Sequence, residues 1–179
     1  MKRVLIAGIG NVLLGDDGVG PYVARLLDAT YEFEEGVEVS DLGTPALDLI
    51  DEISGRDAVI IIDSVDSGAA PGTVLLYRRE DVVKHSPGLR MDPHSPALVE
   101  TLLSADMFAN SPKDFLLVGI TSESCDAQCK LTPGVEWSVK LAIAEVLNEL
   151  DRLGVKHKKR AHPRDVNIWW AEQHNLTAV

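Results

Sequence analysis

The sequence predicts an α/β protein: a three-layer α/β/α sandwich around a twisted, mostly parallel five-stranded mixed sheet. Short, β-branched-rich apolar runs alternate with segments of helical periodicity through most of the chain. The most apolar run, Ala58 to Ile62, shows no polar alternation, as a parallel strand covered on both faces requires. The next connection holds Gly68, Pro71 and Gly72 and has no room for a crossover helix, so the fourth strand is expected to be antiparallel.

Val4 to Ala7 reads as a buried first strand ended by Gly8. A glycine-punctuated loop runs to Gly20. Pro21 then opens a helix, where its missing N–H costs nothing, and Val23, Leu26 and Leu27 share one face. Val37 to Asp41 is the second strand. Thr44-Pro45 has the form of an N-cap and first helical residue, with Leu47, Ile50 and Ile53 as the apolar stripe and Gly55 as the stop. Ala58 to Ile62 is the third, central strand and ends at Asp63. Thr73 to Tyr77 is the fourth strand and His85 to His94 a loop. Ser95-Pro96 repeats the cap-then-proline form before a helix with Leu98, Leu102 and Leu103. Phe115 to Ile120 is the fifth strand. Thr132-Pro133 starts the last and longest helix. Val135, Val139, Ala142, Ile143, Val146 and Leu150 are its buried face, and Gly154 stops it.

The length of 179 residues suits one domain. Lys plus Arg number 17 against 28 Asp plus Glu, a net charge of −11. That balance argues against a bulk nucleic-acid binder and a polybasic membrane-surface protein, both of which need Lys and Arg against phosphates. The charge is uneven. Residues 1–155 hold 12 basic and 26 acidic residues, and residues 156–179 hold five basic and two acidic ones. We therefore divide the chain into a single α/β domain, 1–155, and a basic tail, 156–179. The tail carries Trp169 and Trp170 and is either mobile or docked by those rings, a solvated appendage being the simpler expectation. No apolar stretch reaches the roughly 20 residues that span a bilayer. Lys2 and Arg3 before Val4 to Ala7 imitate a secretory signal, but Gly8, Gly10 and Asn11 interrupt the apolar run and no small-x-small cleavage site follows. Cys125 and Cys129 cannot form a disulfide framework. Their spacing does not match a zinc site, so they read as ordinary loop thiols. A cytoplasmic protein is the expectation.

In open α/β sheets ligands bind beyond the carboxyl ends of the strands, and here those ends collect acids. Asp16 and Asp17 follow the first strand, Asp41 ends the second and Asp63 the third. His94 lies in a loop just before a helix. Taken singly, each has an ordinary explanation: a helix cap for Asp16 or Asp17, a turn residue for Asp63, a surface or capping residue for His94. Taken together, Asp, Asp and His make a divalent-metal site of borderline hardness with positions left for substrate. The rival is dinucleotide binding through Gly8-x-Gly10, with Asp41 as the ribose acid. Leu13 stands where the third glycine belongs, and two carboxylates at the helix start repel a pyrophosphate. No serine elbow, H-E-x-x-H or P-loop is present.

The run Gly8-Ile-Gly-Asn-Val-Leu-Leu-Gly-Asp-Asp17-Gly resembles the N-terminal signature of the NiFe-hydrogenase maturation endopeptidases. Asp41-Leu-Gly-Thr44 resembles their D-x-G-T box. Asp63 follows an apolar strand as their second acid does, and Pro93-His94 falls where their histidine falls. Leu131-Thr-Pro-Gly-Val-Glu136 is similar to the opening of their last helix. The motifs recur in order from the first strand to about residue 150. The resemblance implies a mixed five-stranded sheet between helices, and an endopeptidase that removes a C-terminal extension from the hydrogenase large-subunit precursor after nickel insertion. By position, Asp17, Asp63 and His94 become the metal contacts and catalytic set, and Asp41, Gly43 and Thr44 lie near the substrate. The nickel is then read in the precursor, and tight intrinsic metal is not expected. A non-hydrolytic nickel-binding maturation chaperone using the same residues is the alternative from another class.

Overall fold

In the computed structural model the described residues are 1–85, 88–89, 98–107, 110–168 and 170. In chain order they form β1 (Val4–Ile9), a single 3₁₀ turn (Gly15–Gly18), α1 (Val19–Thr30), β2 (Tyr31–Phe33), β3 (Val37–Gly43), α2 (Asp48–Ile53) and β4 (Ala58–Asp66). Next come β5 (Val74–Arg78), α3 (Arg79–His85), β6 (Gly88–Leu89), α4 (Leu98–Met107), β7 (Asp114–Thr121), α5 (Pro133–Leu153) and β8 (His157–Lys159).

The main sheet runs β3-β1-β4-β7-β5. β1 is parallel to β3 and β4, and β4 is parallel to β7. β5 is antiparallel to β7, as its short connection demands. The two-residue β6 adds an antiparallel pairing to the end of β4, at Val65 and Asp66.

The side-chain period of two sorts each strand between two cores. Val4, Ile6, Ile60, Ile62, Leu116 and Val118 pack with α1 and α5. Leu5, Ala7, Val59, Ile61, Phe115 and Leu117 pack with α2, α3 and α4. The sheet is thus covered on both faces, which is why its central strands carry unbroken apolar runs. Each Leu or Ile buried there contributes roughly 1.5–3 kcal/mol.

Several helices differ in detail from expectation. α2 starts at Asp48, not after Thr44, because residues 45–47 form a separate turn in which Asp48 N–H donates to Pro45 O. That turn leaves Leu47 64% exposed and makes Leu49, with Ile53, the buried stripe. α3 occupies a segment between strand and loop that shows no apolar period, and its Val82 is fully buried. In α4, Leu98 and Leu102 are buried and Leu103 faces solvent. α5 agrees with expectation: Thr132 is its N-cap residue, Pro133 its first residue, and Gly154 its left-handed cap at φ 70°.

The basic segment after Gly154 is docked rather than solvated. β8 pairs antiparallel with β2, and Arg160 N–H and Arg164 N–H donate to Thr30 O and Ala29 O. Lys158 and Arg160 meet Glu32, and Arg164 meets Asp28, so its positive charge lies on acids of α1 and β2. Ile168 and Trp170 are buried with the α1–α5 core. Among the described residues no helix is long and apolar enough to cross a membrane.

Candidate active site

The carboxyl ends of β3, β1 and β4 lie side by side, and the Asn11–Gly18 loop closes over them. Pairing of β1 with β4 ends at Gly8 and Ile62, and β1 meets β3 last at Ile9 and Gly43. The loop and the first turn of α1 sit directly on the strand ends. A Cβ at Gly20 would fall 2.3 Å from both Ile62 O and Ile9 O. One at Gly10, at φ 133°, would fall 1.8 Å from Asp17 O. Side chains at either position would lift the loop off the sheet.

The neighbours Asp16 and Asp17 have separate tasks, and neither caps a helix. Asp16 is fully buried and points into the protein. Its Oδ1 accepts Thr132 N–H (2.7 Å), and its Oδ2 accepts Glu123 N–H (2.8 Å), Ser124 N–H (3.1 Å) and the Thr132 hydroxyl (2.9 Å). Backbone bonds from Gly15 N–H to Gln128 O and from Asp16 N–H to Ser124 O complete the attachment to the segment before α5. Asp16 therefore fixes the 3₁₀ turn, and the turn presents Asp17 at the sheet edge. Cys125 and Cys129 lie in that attached segment, half-buried and without a disulfide.

The Asp17 carboxylate accepts Asn11 N–H at Oδ2 (2.7 Å) and the Ser64 hydroxyl at Oδ1 (2.9 Å). Ser64 follows Asp63 on β4, and its backbone N–H donates to Asp63 Oδ1 (2.8 Å). Alternation along β4 puts Ser64 on the α1 side and Asp63 on the side of Ile61 and Val65. Asp63 is only 6% exposed. Burial, and next the charge of Asp17, push its carboxyl well above the usual range, against a smaller opposing pull from the Ser64 N–H. Among the described residues no Lys or Arg pairs with Asp17 or Asp63. The expected metal contacts Asp17 and Asp63 are thus brought together. His94 lies outside the described residues, and among those described no three His, Cys, Asp or Glu side chains are grouped to hold a metal. A carboxylate pair in which the buried member, Asp63, has a raised proton affinity suits a divalent cation that arrives with a further ligand, since the cation would replace that proton.

Asp41 is a scaffold for its box. Arg25 of α1 donates through Nε to Oδ2 (3.0 Å), and Gly43 N–H donates to Oδ1 (3.1 Å). Gly10 N–H donates to Gly43 O (2.8 Å), which ties the box to the loop carrying Asp17. Thr44 follows, exposed, at the same edge. Ala46 is the only described non-glycine residue at positive φ, 49°. A Cβ in that conformation costs about 1–2 kcal/mol, and the greater unfolded-state entropy of glycine takes back part of the gain from removing it. Ala46→Gly is expected to raise stability by about 0.5 kcal/mol, read as a higher urea midpoint with an unchanged slope.

The division of labour between Asp16 and Asp17 and the part of Ser64 are visible only in the structure. Two adjacent aspartates carry no signal of which turns inward, and a serine after an acid within a strand carries none at all.

A family model described as hydrogenase maturation protease matches residues 21–149. The Hydrogenase 2 maturation protease of Escherichia coli (strain K12) is 34% identical over 158 residues, 86% of this chain and 94% of that protein. The hydrogenase expression/formation protein HupM of Azotobacter chroococcum mcd 1 is 34% identical over 154 residues, 86% of this chain and 74% of that one. Among solved structures, the hydrogenase maturating endopeptidase HybD from E. coli superposes with a TM-score of 0.81 at 32% identity, covering 89% of this chain and 98% of that chain.

Proposed function

The chain belongs to the hydrogenase maturation protease family, and from that premise we propose that it cleaves a C-terminal extension from a NiFe-hydrogenase large-subunit precursor once nickel is in place. Nickel is part of the substrate in this reading. It arrives held by the precursor, and Asp17, Asp63 and His94 complete its surroundings. The observation that carries the proposal is the carboxylate pair where β4 runs past the end of β1, one member buried and holding its proton well above the usual range, with no described Lys or Arg paired to either acid. Such a pair favours a cation over water, and a precursor without nickel forfeits that contribution to binding.

The box would lie along the peptide. Arg25 and Gly10 hold it rigid, so Gly43 and the exposed Thr44 offer backbone groups and a hydroxyl beside the bound metal without reorganising. Placing the scissile bond at a fixed distance from a recognised ion converts a loading signal into cleavage. Protons compete with the ion for Asp63, so processing is expected to weaken as pH falls through its raised value.

Incubation of nickel-loaded precursor with His94→Ala and with Asp17→Asn tests the reading. Both variants are expected to fold and to leave the precursor uncut. Normal cleavage by either removes it from the site, and a wild-type protein that leaves the precursor whole makes it a chaperone instead.

A further inference from the structure

Ser64 is fully buried, and its hydroxyl and backbone N–H each reach one of the two acids of the site. Its hydroxyl donates to Asp17 Oδ1 at 2.9 Å and its N–H to Asp63 Oδ1 at 2.8 Å. Asp17 comes from the loop after β1 and Asp63 from β4, and Ser64 is the one described residue that bonds to both, through its hydroxyl to the first and its backbone N–H to the second. We propose that Ser64 is a positioning residue that holds Asp17 against Asp63 so that both carboxylates meet the substrate's cation in one preset geometry. The inference rests on the processing reading of the site and assigns a residue that reading does not use.

The physical case is that two carboxylates at close range repel, at a cost of order a kcal/mol or more. Left alone, the Asp17 side chain would turn toward water. Asn11 N–H restrains one oxygen from the loop side, and the Ser64 hydroxyl restrains the other from the strand side. A hydrogen bond to a charged group is among the stronger ones, and small misplacements of reacting groups are costly in rate. Only the hydroxyl is dispensable for the fold. Ser64→Ala keeps the N–H that serves Asp63 and changes the buried volume very little.

The test compares Ser64→Ala with Ser138→Ala in the full-length protein. Ser138 is 1% exposed and donates to Val135 O within α5, so it supplies an equally buried hydroxyl with no contact to the site. Both variants are melted, and both are assayed for cleavage of nickel-loaded precursor. Ser64→Ala is expected to lower kcat by about 10- to 100-fold, with KM within about twofold of wild type, because positioning in the bound state is lost and docking is not. Ser138→Ala is expected to cleave as wild type does. A Ser64→Ala protein that cleaves at the wild-type rate overturns the inference. So does equal slowing of the two variants, or slowing confined to KM. The processing reading is tested apart from this by Asp17→Asn: if that variant cleaves normally the reading itself fails, whereas its inactivity beside a fully active Ser64→Ala removes Ser64 alone.

Discussion

Asp63→Asn is expected to end processing of the precursor and at the same time to raise the melting temperature at neutral pH. An unfolded Asp63 loses its proton in the ordinary carboxylate range, and the folded one only at higher pH. Below that window the residue has no effect on stability. As pH rises through it the fold must retain a proton or carry a buried charge beside Asp17, so stability falls, and the cost is complete above the raised value. The asparagine amide keeps the shape, can still accept Ser64 N–H through its oxygen, and never ionises. The gain should be about 1 kcal/mol or more at neutral pH, a rise of roughly 2–4 °C, and should vanish in acid below the ordinary carboxylate range. The loss of cleavage should reach at least about 1,000-fold if Asp63 meets the metal directly. Melting curves across pH beside a cleavage assay decide it. A variant that is less stable at neutral pH contradicts the burial argument, and one that still cleaves contradicts the site.

Asp16→Ala is expected to be the most destabilising change near the site. It strands the N–H groups of Glu123, Ser124 and Thr132 and the Thr132 hydroxyl without their acceptor, inside a region where the carboxylate is fully buried. Loss of a buried network of this size costs about 3–5 kcal/mol, or a fall of roughly 10 °C in melting temperature. Asp16→Asn preserves the shape but sets an amide nitrogen against at least one N–H donor, so it should fall between the two. Cleavage should decline in the same order, because the turn that carries Asp17 is held to the sheet edge from this side. A melting temperature within about 2 °C of wild type for Asp16→Ala would show that the backbone bonds from Gly15 and Asp16 hold the turn unaided.

Most of the sheet was legible because its signals are local and redundant. The β-branched run at Ala58 to Ile62 needs both faces covered, and the glycine-rich connection before Val74 forces an antiparallel strand. The acids were expected at the strand ends of one sheet edge, whereas β3 and β4 run on past Asp41 and Asp63 to Gly43 and Asp66. What could not be read depended on contacts made far along the chain. Asp16 is anchored by Thr132, whose local sequence reads only as a helix start. Asp41 looks like a free acid until Arg25 comes across from α1. The basic segment after Gly154 has the composition of a solvated appendage, and only the acids of α1 and β2 and the pairing of β8 with β2 make it part of the body. At Thr44-Pro45 the cap pattern does not start the helix, because the left-handed Ala46 takes the chain through a separate turn and α2 begins at Asp48.

In the proposed function, cleavage of the precursor depends on the nickel it holds. The most direct measurement is the intact mass of a hydrogenase large-subunit precursor after incubation with the protein, with nickel loaded and without. The loaded precursor should lose a single C-terminal fragment, and the empty one should keep its mass. Equal cleavage of both, or of neither, would contradict the proposed function.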